Sequence, residues 1–190
     1  MTRAALITGA GRRIGAAIAR ALARHGYVVV LHANSSRADA EKVAADTAAA
    51  GGRASVVLGN LADGAALAGL IPAAAATAGP LTLLVNNASL FEEDEIGAVD
   101  RAAFEKTLAV NLTAPIFLAQ AFAAQAPDGA SIVNIVDQRV LRPTPRFFSY
   151  TLSKNALYDA TLTLAQALAP KLRVNAVAPG PTLPSPRQSP

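Results

Sequence analysis

Short apolar runs alternate along the chain with longer stretches whose apolar residues recur at helical spacing. The runs at residues 4–8, 27–32, 54–58, 81–86, 131–137 and 172–177 have strand length. They are near-continuously apolar rather than alternating, as in strands covered on both faces. Between them, residues 14–24, 37–50, 64–78, 100–126 and 148–168 form alanine-rich segments of helical period. Gly26, Gly51-Gly52 and Gly79-Pro80 close three of these segments, as glycine commonly does after a helix. Strand and helix in regular succession predict an α/β fold: a doubly wound, Rossmann-type parallel sheet with helices on both faces. The proline-rich stretch after Val177 has no period and reads as a loop. Nothing in the pattern marks a linker, a repeat or a second domain, so residues 1–190 are expected to form one domain.

Composition narrows this reading. A chain of 190 residues with 52% hydrophobic and 16% charged residues has enough apolar mass for a packed core and excludes intrinsic disorder. Seventeen basic residues against thirteen acidic ones give a net charge of +4, which suits an anionic ligand without demanding nucleic acid. The absence of cysteine removes disulfides, thiolate zinc sites and a cysteine nucleophile, and His25 and His32 make a poor metal set. Met1-Thr2-Arg3 leads into only about five apolar residues, and no window approaches the roughly 18 uninterrupted apolar residues of a membrane span. A soluble, cytoplasmic protein with no membrane partner is the expectation.

The first candidate site is the turn Thr8-Gly9-Ala10-Gly11-Arg12-Arg13-Ile14-Gly15, between the first strand and the first helix. Glycines there let the backbone turn tightly, and the N–H groups opening a helix favour an anion by about 0.3–1 kcal/mol. A dinucleotide pyrophosphate is the natural occupant; a plain βα corner is the alternative. An NAD site commonly carries an acid at the end of the second strand, but Leu31-His32-Ala33-Asn34-Ser35-Ser36-Arg37 has none. A ribose 2′-phosphate would meet no repulsion there, while Arg12, Arg37, Ser35 and Ser36 offer donors, so NADPH is expected over NADH. Helix capping by the serines and Arg37 is the competing explanation.

Five ordered features make the chain similar to the short-chain dehydrogenase/reductase family. They are the glycine turn, Asn86-Asn87-Ala88, Asn111, Tyr150-Thr-Leu-Ser-Lys154 and Pro179-Gly180. Two departures resemble its pteridine reductase and dihydromonapterin reductase branch: Arg13 stands where most members have glycine, and Asp137, thirteen residues before Tyr150, stands in place of a serine. Asn87-Ala88-Ser89-Leu90-Phe91 is similar to that branch as well. The resemblance implies an NADPH-dependent reductase of a pterin or dihydropterin, with a general carbonyl reductase as the alternative and a non-catalytic NADPH-binding sensor as a remote one. It further implies a homo-oligomer, tetramer or dimer; family members continue past the sixth strand through a substrate-covering segment to a last strand, and this sequence either omits that part or belongs to a truncated protein.

Candidate roles follow. Tyr150 and Lys154 are four apart and share a helix face, so the ammonium is expected to favour the phenolate and make Tyr150 a proton donor near neutral pH. The resemblance assigns Lys154 to the nicotinamide ribose and gives Asn111 a water linked to Lys154. Asp137 ends an apolar strand at the carboxyl edge of the sheet, where it would act with Tyr150 as general acid. Capping of the next loop, or pairing with Arg139 or Arg142, is the alternative. Phe91 would stack on a flat heterocycle or simply belong to the core. By resemblance to pteridine reductases, Arg13 would lie between pyrophosphate and substrate; an exposed surface arginine is the alternative. The cofactor set expected from the first half of the chain is Gly9, Gly11, Arg12, Arg13, Ile14, Gly15, His32, Asn34, Ser35, Ser36, Asn60 and Leu61. From the second half come Asn87, Ala88, Ser89, Lys154, Pro179, Gly180 and Thr182. The loop holding Arg142, Arg146, Phe147 and Phe148 would be a substrate wall or a subunit contact.

Overall fold

A computed structural model describes residues 2–183. Six parallel strands, β1 (Ala4–Ile7), β2 (Val28–Ala33), β3 (Arg53–Leu58), β4 (Leu83–Asn86), β5 (Ser131–Ile135) and β6 (Arg173–Val177), pair in the order β3-β2-β1-β4-β5-β6. Six helices connect and cover them: α1 (Arg13–Arg24), α2 (Arg37–Ala49), α3 (Gly64–Ala78), α4 (Arg101–Leu108), α5 (Ala114–Gln125) and α6 (Phe148–Leu168).

Successive residues of a strand point to opposite faces, and the two faces have separate cores. Ala4, Leu6, Val30, Leu84 and Ile132 pack with Leu70 and Ile71 of α3 and Leu118 and Phe122 of α5. Ala5, Ile7, Val29, Leu31 and Val85 face the other way, toward Ala16 and Ala19 of α1 and Val43 of α2. All four residues of β1 are buried, which explains its unbroken apolar run.

The strand order reverses between β1 and β4, and the carboxyl ends on either side of such a switch point open a crevice. There the backbone departs from the pattern-based expectation. The helix expected at 100–126 begins one residue after Asp100, whose carboxylate caps it by accepting from the Ala103 N–H at 2.8 Å. A π-helical turn, Ala109–Thr113, separates α4 from α5. Pro115 has no N–H to offer the Asn111 carbonyl four residues back, so the regular ladder cannot close at that point. β5 ends at Ile135 rather than 137, and a 3-10 turn, Gln138–Val140, follows Asp137.

The continuous helical run Arg101–Gln125 is long and apolar enough to cross a membrane by length and composition. Leu118, Ala119 and Phe122 of that run lie in the core of the sheet, which accounts for its apolarity. Of the expected C-terminal loop, residues 184–190 lie outside the described residues.

Candidate active site

A cleft of about 780 Å³ opens over the switch point. Its floor is the glycine turn, which three sets of bonds hold in place. Thr8 Oγ1 accepts from the N–H groups of Asn87 (2.9 Å) and Ala88 (3.0 Å). Asn87 Nδ2 donates to the carbonyls of Thr8 (2.8 Å) and Gly9 (3.1 Å). His32 accepts at Nδ1 from the Gly9 N–H (3.3 Å) and shares a hydrogen bond between Nε2 and the Gly59 carbonyl (3.0 Å). Together these bonds describe a neutral ring protonated at Nε2, and burial lowers its pKa from the ordinary value.

Close packing makes the glycines necessary. Gly9 has φ +63°, and a Cβ there would lie 2.9 Å from Ala88 Cα. A Cβ on Gly15 would overlap the Gly9 carbonyl oxygen and sit 2.6 Å from Asn87 Nδ2. Arg13, where most family members have glycine, has φ +46°, a left-handed conformation uncommon for a side-chain-bearing residue. Its guanidinium donates to the Leu183 carbonyl at 3.1 Å.

Beyond the carboxyl end of β2, Asn34, Ser35, Ser36 and Arg12 line the cleft. Ser36 makes no side-chain capping bond to α2, so capping does not account for it. Arg37 pairs with Glu41 at 2.8 Å and is not part of the cleft lining, which corrects its expected contribution. No acid occurs in the 31–37 segment, but Asp39 folds back to bind Arg12 at 2.6 Å. Asn60 turns its Oδ1 to the Ala62 N–H at 3.0 Å, so that acceptor already serves its own loop.

At the other end, the described geometry brings Asp137, Tyr150 and Lys154 together. Tyr150 Oη donates to Asp137 Oδ2 at 2.8 Å. The same carboxylate accepts from the Arg139 backbone N–H at 2.8 Å and from Arg139 Nη1 at 3.4 Å, so the capping and pairing alternatives coexist with the Tyr150 contact. Lys154 Nζ, wholly buried, donates to the Ile135 carbonyl at 2.7 Å.

These surroundings reverse one expectation. The Tyr150 pKa is raised rather than lowered, first by burial and then by the charge and hydrogen bond of Asp137, with Arg139 opposing. A carboxylate at hydrogen-bond distance outweighs an ammonium 5.8 Å from the ring centre. Lys154 is pushed down to about 8 by burial, against a smaller upward pull from Asp137.

Asn111 is held by its side chain. Its side-chain amide accepts from the Leu90 N–H (2.8 Å) and donates to the Leu90 carbonyl (2.9 Å) and Ser153 Oγ (3.0 Å). The side chain therefore fastens the 87–91 loop to α6. Asp94 was not singled out in the sequence, yet it fixes the start of α6, accepting from Ser149 at both its N–H and its hydroxyl.

Phe91 stacks on Phe147 with centroids 4.3 Å apart and meets Tyr150 edge-on at 4.6 Å. Phe147 reaches it from a left-handed backbone (φ +58°), a conformation no sequence signal marks. Of the loop before α6, Phe147 lines the cleft, whereas Arg146 pairs with Glu93. Ile14, Leu61, Ala88, Ser89, Pro179, Gly180 and Thr182 line the cleft, joined by the unanticipated Lys106, Val110 and Arg139.

This arrangement, a glycine turn at the switch point facing a Tyr-Lys pair on α6, defines a class. The chain belongs to the short chain dehydrogenase family, whose model matches residues 3–189. It is 50% identical, with a TM-score of 0.94, to the FolM alternative dihydrofolate reductase 1 of Brucella canis, solved complexed with NADP; the match covers 99% of this chain and 75% of that one. It is 39% identical over 181 residues to an uncharacterized oxidoreductase of Methylorubrum extorquens, covering 94% of this chain and 72% of that protein. Pteridine reductase 1 of Leishmania tarentolae is 34% identical over 217 residues, at 93% and 75% coverage.

Proposed function

We propose that the protein is an NADPH-dependent reductase of a pterin or dihydropterin. The observation that carries this reading is the Tyr150–Asp137 hydrogen bond, an acid pair where a carbonyl reductase of this family would be expected to hold a serine. Its similarity to an NADP-complexed FolM reductase and to a pteridine reductase supports the same reading.

The residues present fit the cofactor. α1 starts without an acid in its first turn and without a side-chain cap, so its amino end faces the cleft as an electropositive terminus. In this reading the glycine turn and Arg13 hold the pyrophosphate, and Asn34, Ser35, Ser36 and Arg12 hold the 2′-phosphate. Lys154 and Ser89 lie beside the nicotinamide end, with Pro179, Gly180 and Thr182 opposite. Bound reduced cofactor supplies the hydride.

The protein supplies the proton. Tyr150 Oη carries it, and Asp137 Oδ2 fixes its direction. Delivery of that proton to a ring nitrogen would leave a phenolate against a carboxylate, two like charges at hydrogen-bond distance. The pair therefore works only if Asp137 takes a proton from solvent and passes it to Oη, with Lys154 and Arg139 offsetting the charge. Reduction of a C=N bond requires a proton at nitrogen, which this pair can deliver. Exposed Phe117 on α5 and Leu152 and Leu162 on α6 support the implied homo-oligomer, which size-exclusion chromatography with light scattering would test.

The test is a panel assay following NADPH absorbance with dihydrobiopterin, dihydrofolate, dihydromonapterin and simple ketones. Turnover of a pterin with little turnover of ketones is expected. Ketone turnover without pterin turnover would overturn the reading.

A further inference from the structure

Arg139 occupies an unusual position for a guanidinium. Its Cζ lies 5.3 Å from the centre of the Phe91 ring, 5.2 Å from Phe147 and 6.0 Å from Tyr150. The side chain is about three-quarters buried in the cleft wall, with a relative exposure of 24%. Burying a charge among aromatic rings demands hydrogen bonds in return, since a guanidinium carries five N–H donors in a rigid fork. The bonds present fall short. Nη1 reaches Asp137 only at 3.4–3.5 Å, beyond an ordinary hydrogen bond; Nε is closed off from solvent and cannot meet a ligand, which leaves the Nη edge, whose Nη2 has no hydrogen bond among the described residues. Asp137 meanwhile spends its closer contacts on Tyr150 Oη and the Arg139 backbone.

A planar cation with unspent donors, set in a cleft and backed by aromatic faces, is a receptor for a carboxylate, which accepts two parallel N–H bonds from such a fork. Of the other cations, Arg146 pairs with Glu93 and Arg12 with Asp39, while Lys106, which also lines the cleft, is a compact ammonium without the planar fork. We propose that Arg139 is a specificity-determining residue that binds a carboxylate on the arm of the substrate. The enzyme then prefers a dihydropterin bearing an acidic arm to one whose side chain is neutral. This inference rests on the pterin-reductase reading and adds the substrate class to it.

The experiment compares wild type, Arg139→Met and Arg139→Lys on 7,8-dihydrofolate, which has a carboxylate-bearing arm, and 7,8-dihydrobiopterin, which has none. Any effect transmitted through Asp137 strikes both substrates and cancels in the ratio of their kcat/KM values. In Arg139→Met that ratio is expected to shift against dihydrofolate by at least about tenfold, mainly through KM, with partial recovery in Arg139→Lys. A ratio unchanged within about threefold overturns the proposal and leaves Arg139 a support for Asp137. If wild type reduces neither compound, nor dihydromonapterin, the pterin-reductase reading fails by itself. The carboxylate site is then decided by calorimetry of 4-aminobenzoyl-glutamate on the NADPH-loaded protein. Binding lost in Arg139→Met upholds it; binding absent, or equal in the two proteins, overturns it.

Discussion

Replacing Lys154 by methionine tests the electrostatics of the site through the stability of the fold. The amine is wholly buried and bonded to the Ile135 carbonyl, and burial brings its pKa from the ordinary 10.5 down to about 8. The folded state therefore favours the neutral amine more than the unfolded chain does. The resulting stabilisation is present above the unfolded value, and it is lost as pH falls through the folded one. Between pH 7 and pH 9.5 the wild type should gain about 2 kcal/mol relative to Lys154→Met, from a folded value near 8 and an unfolded value near 10.5. Urea denaturation of both proteins at pH 7.0, 8.25 and 9.5 measures this directly, because titrations common to the two cancel in the difference. Methionine fills much of the lysine stem's volume, so packing losses enter as a constant. A difference in unfolding free energy flat to within about 0.5 kcal/mol would refute a strongly depressed Lys154.

Other perturbations probe the remaining parts of the cleft. Gly15→Ala forces a methyl against the Gly9 carbonyl and Asn87 and should destabilise the protein by about 1–3 kcal/mol. Thermal melts would register this, together with weakened NADPH binding in a fluorescence titration. Asp39→Ala frees Arg12 from its 2.6 Å partner and should raise the preference for NADPH over NADH several-fold in paired titrations; an unchanged preference would mean Arg12 does not meet the 2′-phosphate. His32, with its pKa below the usual 6.5, contributes its Gly9 bond above that range and loses it as pH falls and the ring protonates. NADPH affinity should therefore drop toward pH 5 more steeply in wild type than in His32→Gln.

Much of the scaffold was legible because parallel strands must be apolar on both faces and helices must show their period. Alternate residues of β1 feeding two different cores show that logic at work. The glycine turn was legible as well, since only glycine tolerates the positions of Gly9 and Gly15. Proximity between distant segments was not. Asp39 against Arg12, Asp94 against Ser149 and Arg139 over Phe91 and Phe147 are products of tertiary folding, with no local sequence signature. The sign of the Tyr150 shift was misjudged for a related reason. Sequence spacing places Lys154 on the same helix face, but burial and the bond to Asp137 depend on how β5 and α6 meet. Asn111 lies in a π-helical turn that helical periodicity does not register.

The central claim is that Asp137 and Tyr150 act as one proton-delivering pair toward a pterin ring. Its most direct test is steady-state reduction of a dihydropterin by wild type and Asp137→Asn, with NADPH affinity measured alongside. The expected result is a fall in kcat of at least about 100-fold, with NADPH binding held within about threefold. Turnover within about threefold of wild type by Asp137→Asn would contradict the account.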